Sequence, residues 1–206
     1  MCLLVNAVLI CSLFAASFTF QPYLLNQYKV PSWEYGLIFA ASSIAFILGG
    51  AIFPMLDKVV GSKAVLMLAA SLAAFGLLMF GPSTWLGFLP SPSPSTVWVP
   101  CCSLACFFLG FSGTESVLSP MTLAYAVEEG WTEGDAAAQN GMLVTVFQYT
   151  ALGVGGLLSG ALVNSYGIPT TVEVLACVIV GFIAFAIMFL KTCDACAGSK
   201  SAIPLQ

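Results

Sequence analysis

Six long apolar stretches follow one another along this chain, and they constrain its fold more than any other feature. Only 7% of the 206 residues are charged, whereas a soluble domain usually carries about a quarter. A helix of roughly 20 apolar residues is long enough to cross a bilayer. The sequence therefore predicts an all-α, polytopic membrane protein with six transmembrane helices, at residues 3–20, 34–56, 64–80, 97–127, 140–163 and 170–190.

These six helices are predicted to form one unit, residues 1–191, without a separate extramembrane domain. The longest connection, Pro82 to Ser95, is rich in serine and proline and is not expected to hold a helix. Pro120 is expected to kink the fourth helix. A polar tail, residues 192–206, follows in the cytoplasm. Its Cys193 and Cys196 are candidates for palmitoylation beside the membrane, whereas the other cysteines are expected to pack as small apolar side chains.

The charged residues exclude several function classes and predict an orientation. The chain has five Lys or Arg residues and no His, so neither a basic nucleic-acid footprint nor histidine chemistry is expected. No metal, cofactor or nucleic-acid partner is therefore predicted. Lys58, Lys63, Lys191 and Lys200 fall on one face of a six-helix chain and Lys29 falls on the other. This bias places both termini in the cytoplasm.

Glycines indicate an internal repeat. Gly49 and Gly50 are followed by Gly61, and the same pattern recurs 106 residues later as Gly155, Gly156 and Gly167. Two units of three helices each would have opposite orientations in the membrane, because three is odd. Inverted three-helix repeats are typical of secondary transporters. The alternative is that glycines such as Gly156 and Gly160 only let helices pack closely.

One carboxylate, that of Glu115, lies far from any predicted helix end. A charge at the bilayer centre costs about 2.5–3.5 kcal/mol on insertion scales. Such a residue faces the protein interior or a wet cavity, and it marks a functional site by default. A carboxyl group there can exchange a proton or bind an organic cation. The alternative is a protonated Glu115 that hydrogen-bonds to a neighbouring hydroxyl and serves packing alone.

Other polar residues in the predicted helices could line a cavity with Glu115. Each of them is more often a helix–helix hydrogen bond than a ligand contact. These candidate cavity residues are Asn6, Ser42, Ser43, Ser112, Thr145, Gln148 and Tyr149.

A second motif favours an enzyme at first sight. Gly110-Phe111-Ser112-Gly113 has the GxSG form of rhomboid intramembrane proteases. Such an enzyme needs a histidine to take the serine proton, and this chain has none. The five lysines lie in loops, near helix ends or in the tail, so they do not supply a base. The sequence therefore predicts that the chain is not an enzyme.

The turn after the second helix, Asp57-Lys58-Val59-Val60-Gly61-Ser62-Lys63, resembles the acidic–basic–glycine–basic signature of the major facilitator superfamily. Two residues separate Lys58 from Gly61, where the usual signature has one. The segment Glu115 to Pro120 resembles the tenth helix of vesicular amine transporters, and Gly153 to Pro169 resembles the end of the eleventh. The chain looks like the C-terminal half of such a transporter, in the amine and polyamine (drug:proton antiporter) branch.

The resemblance implies proton-coupled antiport of a small organic cation such as an amine, a polyamine or a drug, with Glu115 as the proton-coupling residue. Members of the superfamily have two six-helix halves, so a second half or a homodimer is implied. Thr145 stands where monoamine transporters carry a second carboxylate, which leaves monoamine chemistry open. Two other functions stay open: a non-transporting membrane scaffold or assembly subunit, and an uncoupled facilitator of small solutes.

Overall fold

The computed structural model describes residues 2–80 and 93–189, and within these ranges all regular structure is helical. A short 3-10 turn at Pro94–Thr96 precedes the fourth helix. The helices are α1 Cys2–Gln27, α2 Ser32–Val60, α3 Ser62–Phe80, α4 Trp98–Glu128 and α5 Glu133–Phe189. Four of them, α2 to α5, are long and apolar enough to cross a membrane. The described chain is thus all-helical and has the composition of an integral membrane protein.

Helix α5 consists of two helical segments that meet at Gly167. Gly167 has φ 78° and ψ 170°, which are not helical angles. Gly61 separates α2 from α3 with similar angles, φ 90° and ψ 149°. Residues with a Cβ rarely adopt this combination, so each glycine ends one helical segment and lets the next begin at once.

Alanine at Gly61 or Gly167 is expected to destabilise the fold by about 1–3 kcal/mol, because it strains the backbone. At Gly61 a new Cβ would meet no atom within 4 Å, so crowding does not contribute. Thermal unfolding in detergent measures the effect. Gly36→Ala is the matched control, since that glycine is helical and equally open. Equal stability of Gly61→Ala and Gly36→Ala would contradict the prediction.

The centre of the bundle lies where α1, α3 and α4 meet. Phe20 of α1 contacts Phe80 of α3 with ring centroids 3.9 Å apart, and it contacts Phe107 of α4 at 5.9 Å. The Ser103 hydroxyl of α4 donates a hydrogen bond to the Gly76 carbonyl of α3. Helix α1 also packs along α5, and α2 packs along α4. In the most apolar stretch of 18 residues in each helix, 61% of the residues of α4 are buried but only 17% of those of α2. Helix α2 therefore lies at the edge of the bundle.

Two helices extend beyond the apolar stretches that predicted them. Helix α1 continues past residue 20 to Gln27, with Pro22 inside it. Helix α5 begins at Glu133 rather than at residue 140. The Thr132 hydroxyl caps this new start, because it accepts the Asp135 backbone N–H at 3.2 Å. The carboxylates of Glu133 and Asp135 in the first turn also favour helix formation there.

Helix α4, at Trp98–Glu128, matches the predicted helix 97–127 within one residue at each end and is continuous through Pro120. The turn expected at residues 164–169 is reduced to the single non-helical residue Gly167. Residues 81–92, which include most of the serine- and proline-rich connection, lie outside the described residues, as do residue 190 and the predicted tail 192–206.

Candidate functional site

Glu115 lies near the middle of α4, in a well-packed part of that helix. The residues Phe111 to Thr114 before it, and Val117 and Leu118 after it, are buried. Glu115 itself is half-buried. None of the described side chains forms a hydrogen bond or an ion pair with its carboxyl group.

Helix α5 approaches α4 one turn away from Glu115. Ser119 follows Glu115 by four residues and so lies on the same face of α4. The Asn140 side-chain Nδ2 donates a hydrogen bond to the Ser119 hydroxyl at 3.4 Å. The Asn140 Oδ1 is buried and has no hydrogen-bond partner in the described part of the chain. A buried oxygen without a partner costs about 1–3 kcal/mol, so it favours an external donor.

Ser119 and Asn140 are not among the residues predicted from the sequence. Ser119 could have been found from its four-residue spacing to Glu115, which puts both side chains on one helix face. Asn140 had no such signal, because only the packing of α5 against α4 brings it to Ser119. Together with Glu115, these residues place a carboxyl, a hydroxyl and a carboxamide on the α4–α5 side of the bundle.

The predicted serines of the cavity lie at or near the contact between α2 and α4. Ser42 is buried and donates to the Ile38 carbonyl at 2.8 Å. Ser43 is half-buried and donates to the Phe39 carbonyl at 3.0 Å. Ser112 is buried against Gly49. Ser112 of the GxSG motif therefore serves helix packing, and Ser42 and Ser43 bond to their own helix.

The predicted cavity residues of α5 lie elsewhere. Thr145 is exposed and donates to the Gly141 carbonyl at 2.9 Å. Tyr149 is 71% exposed. The described chain therefore does not enclose these two side chains in a shared cavity with Ser42 and Ser112. The side chains of Asn6 and Gln148 lie outside the described part.

The residues of the signature turn surround the junction of α2 and α3. Asp57 and Lys58 belong to the last turn of α2, and Lys63 belongs to the first turn of α3. The Gly61 N–H donates to the Asp57 carbonyl at 3.0 Å, which caps α2. The Asp57 Oδ1 is buried and has no partner among the described residues. The turn is thus a compact link between two helices.

The predicted packing glycines differ in their surroundings. A Cβ on Gly49 would lie 2.7 Å from the Leu109 carbonyl oxygen, and one on Gly50 would lie 3.4 Å from the Ser112 hydroxyl. A Cβ on Gly156 would lie 3.1 Å from the Phe18 ring. Gly155 is buried. The prediction for Gly160 needs correction, because an added Cβ there meets no atom within 4 Å and the residue lines a cavity between α1 and α5.

The cysteines give no indication of a metal centre. The described residues contain no group of three His, Cys, Asp or Glu side chains that could hold a metal ion. Five cysteines of the described ranges are free thiols: Cys11, Cys101, Cys102, Cys106 and Cys177. The palmitoylation candidates Cys193 and Cys196 lie outside those ranges.

No family model, curated protein or solved structure matches the chain.

Proposed function

We propose that this chain is a six-helix half of a secondary transporter of the major facilitator type, which exchanges protons for a small organic cation. The observation that carries the proposal is the position of Glu115. Its carboxyl group is half-buried inside a helix that is long and apolar enough to span a membrane. It has no partner among the described side chains. If Glu115 were purely structural, an ion pair would neutralise its charge. If it were exposed, water would hydrate its carboxylate.

Glu115 would bind its two ligands in turn. As a carboxylate it pairs with an ammonium group, because a buried charge is tolerated only when it is paired. A proton from the acidic side neutralises the carboxylate and so releases the cation. Loss of that proton to the cytoplasm restores the binding state. The unpartnered Oδ1 of Asn140, one turn away through Ser119, would accept a hydrogen bond from the ammonium or from a water beside it.

The inverted repeat is supported by the burial pattern of two helical segments. The first is α3, which follows Gly61, and the second is the part of α5 that follows Gly167. Five buried residues of α3 have buried counterparts 106 residues later in α5, and four of these five counterparts are apolar. The buried pairs are Val65 with Thr171, Leu66 with Val172, Ala69 with Leu175, Ala70 with Ala176 and Ala73 with Ile179.

Contacts between helices support the same repeat. Gly50 of α2 faces Ser112 of α4, and Gly156 of α5 faces Phe18 of α1. One turn further along, Gly113 faces the Phe53 ring, and Ser159 hydrogen-bonds to Thr19 at 2.7 Å. The α2 and α5 members of both contact pairs differ by 106 residues, and the α1 and α4 members differ by 94. The α2–α4 and α1–α5 contacts therefore have the same register.

Six membrane spans and a second half complete the proposal. Helix α1 has 26 residues, and α5 divides at Gly167, so each resulting segment is long enough to cross a bilayer. Helix α2 exposes Ile47 and Met55, and the first part of α5 exposes Tyr149 and Leu157. A second six-helix half or a second copy of this chain would cover part of this apolar surface and close the substrate cavity.

Cysteine labelling is expected to detect Lys29 and Trp131 on opposite sides of the membrane. Both residues lie between helices and are exposed, and α2, α3 and α4 between them make an odd number of crossings. A membrane-impermeant thiol reagent applied to intact cells should label Lys29→Cys but not Trp131→Cys, in a variant without its native cysteines. Permeabilising the membrane with detergent should make Trp131→Cys accessible to the reagent as well. Labelling of both positions in intact cells would contradict the proposed topology.

Transport itself is tested by uptake of radiolabelled organic cations into membrane vesicles with an imposed pH gradient. The proposal predicts uptake that stops when an ionophore collapses the gradient. A facilitator would give uptake that is insensitive to the gradient, and a scaffold would give none beyond vesicles without the protein. Either of those two outcomes would contradict proton-coupled antiport.

A further inference from the structure

A cavity of about 650 Å³ lies between α1 and α5, well separated along the sequence from Glu115. Its walls include the Phe18 ring, Gly156 and Gly160, and the carboxamides of Asn26 and Asn164 lie near the ends of the two helical segments. The volume is in the range of ligand pockets, about 300–1,000 Å³. Phe18, Asn26, Gly160 and Asn164 are exposed, so the cavity is open to the surface of the bundle between the two helices.

Two buried hydroxyl groups form the deep wall of the cavity. Thr19 is 1% exposed and Ser159 is 2% exposed, and both line it. The Thr19 hydroxyl donates its proton to the Ala15 carbonyl at 2.9 Å. In the Thr19–Ser159 hydrogen bond of 2.7 Å, Ser159 must therefore be the donor. Both protons are used, so this wall offers only acceptor lone pairs and suits a ligand that donates a hydrogen bond.

The corresponding place in the first half of the chain is filled. Phe53 stands 106 residues before Ser159 and is buried against Gly113. Pro54 stands 106 residues before Gly160. The second half therefore has a small hydroxyl and a glycine where the first half has a ring and a proline. The α2–α4 contact thus has its ring, Phe53, on α2, whereas the α1–α5 contact has its ring, Phe18, on α1 and leaves the small Ser159 and Gly160 on α5 beside the cavity.

We propose that this cavity binds a neutral lipid that carries a hydroxyl group, of the sterol or diacylglycerol class. None of the lining residues is charged, and a buried charged ligand would lack a counter-ion. A cavity that is open at the surface between two membrane helices is accessible to lipid. The hydroxyl group donates to the acceptors of Thr19 and Ser159, while the apolar body contacts Phe18, Gly156 and Ile168. This site does not depend on the proposed transport function.

Photoreactive sterol and photoreactive diacylglycerol probes, applied separately to the protein in its native membranes, test the site. We expect one of the two probes to label peptides of α1 or α5 that line the cavity. Ser159→Phe mirrors Phe53 and should lower that labelling by about tenfold, because the ring occupies the cavity. Val178→Phe is the control; residue 178 is 41% exposed, lies in the other segment of α5 and does not line the cavity, so labelling should be unchanged. Excess unlabelled sterol or diacylglycerol identifies which lipid binds.

Ser159→Ala keeps the test independent of any folding defect in Ser159→Phe, since it removes the hydroxyl group without filling the space. It should weaken labelling several-fold, and a probe with a ketone in place of the hydroxyl should label poorly. Labelling of Ser159→Phe at the unsubstituted level would overturn the proposal. Equal labelling by the ketone and hydroxyl probes, or no labelling of the cavity by either lipid, would overturn it as well.

Discussion

Glu115→Gln is expected to abolish proton-driven uptake of organic cations, with a loss of about tenfold or more relative to the unsubstituted protein. The substitution preserves the size of the side chain and its ability to hydrogen-bond, but it removes the group that can lose a proton. The described structure gives Glu115 no partner that the change would break. Folding and membrane insertion should therefore be retained. Flux into vesicles, normalised to the amount of folded protein, measures the effect.

The control for this variant is Glu133→Gln, in the first turn of α5. Glu133 is exposed at the start of the helix, and its neutralisation should leave flux within about twofold and cost only a few tenths of a kcal/mol in helix stability. Proton-driven flux that is unchanged in Glu115→Gln would remove Glu115 from the mechanism. Loss of flux in both variants would point to a general effect of acidic residues.

Gly110→Ala is expected to cause the largest loss of stability of any single substitution considered for this chain. A Cβ at Gly110 would lie under 3.0 Å from backbone atoms of Ala69 and Ala73 in α3. Backbone atoms cannot rotate away, so α3 and α4 must separate. Overpacking of this kind costs about 1–3 kcal/mol, and more where backbones meet. We expect a lower yield of folded protein and a lower Tm in detergent.

Gly153→Ala is the matched control for Gly110→Ala. Gly153 is helical and exposed, and an added Cβ would meet no atom within 4 Å. Alanine there should leave stability unchanged or raise it by up to about 1 kcal/mol, because it favours the helix. A Tm for Gly110→Ala equal to that of Gly153→Ala would show that α3 and α4 are not in close contact at this point.

Local sequence patterns predicted the helices well and the contacts poorly. Apolar runs predicted helices over most of α2, α3 and α4, because burial in lipid or protein needs the same apolar residues in either case. The glycine pattern contained Gly61 and Gly167, two of the three described glycines with positive φ, but not Gly130, which follows the end of α4. A positive φ is a property of one residue, so a glycine in the sequence can indicate it.

Contacts between helices needed the structure. Gly76 and Gly110 make closer helix contacts than Gly160, although all three are glycines in apolar helices. Asn140 meets Ser119 only because α5 packs against α4. The start of α5 at Glu133 depends on the Thr132 cap, which the apolar pattern does not contain. Contacts between helices depend on which helices become neighbours, and the spacing of apolar residues along one helix does not specify its neighbours.

Cation-driven proton movement is the most direct test of the account. The protein, purified from native membranes with any partner that accompanies it, would be placed in liposomes that contain a pH-sensitive dye and are acidic inside. Addition of a transported organic cation to the outside should cause proton efflux, and the lumen should become more alkaline. Glu115→Gln liposomes should show no change. Cation uptake without any change in lumenal pH would contradict the account, since Glu115 would then not exchange one ligand for the other.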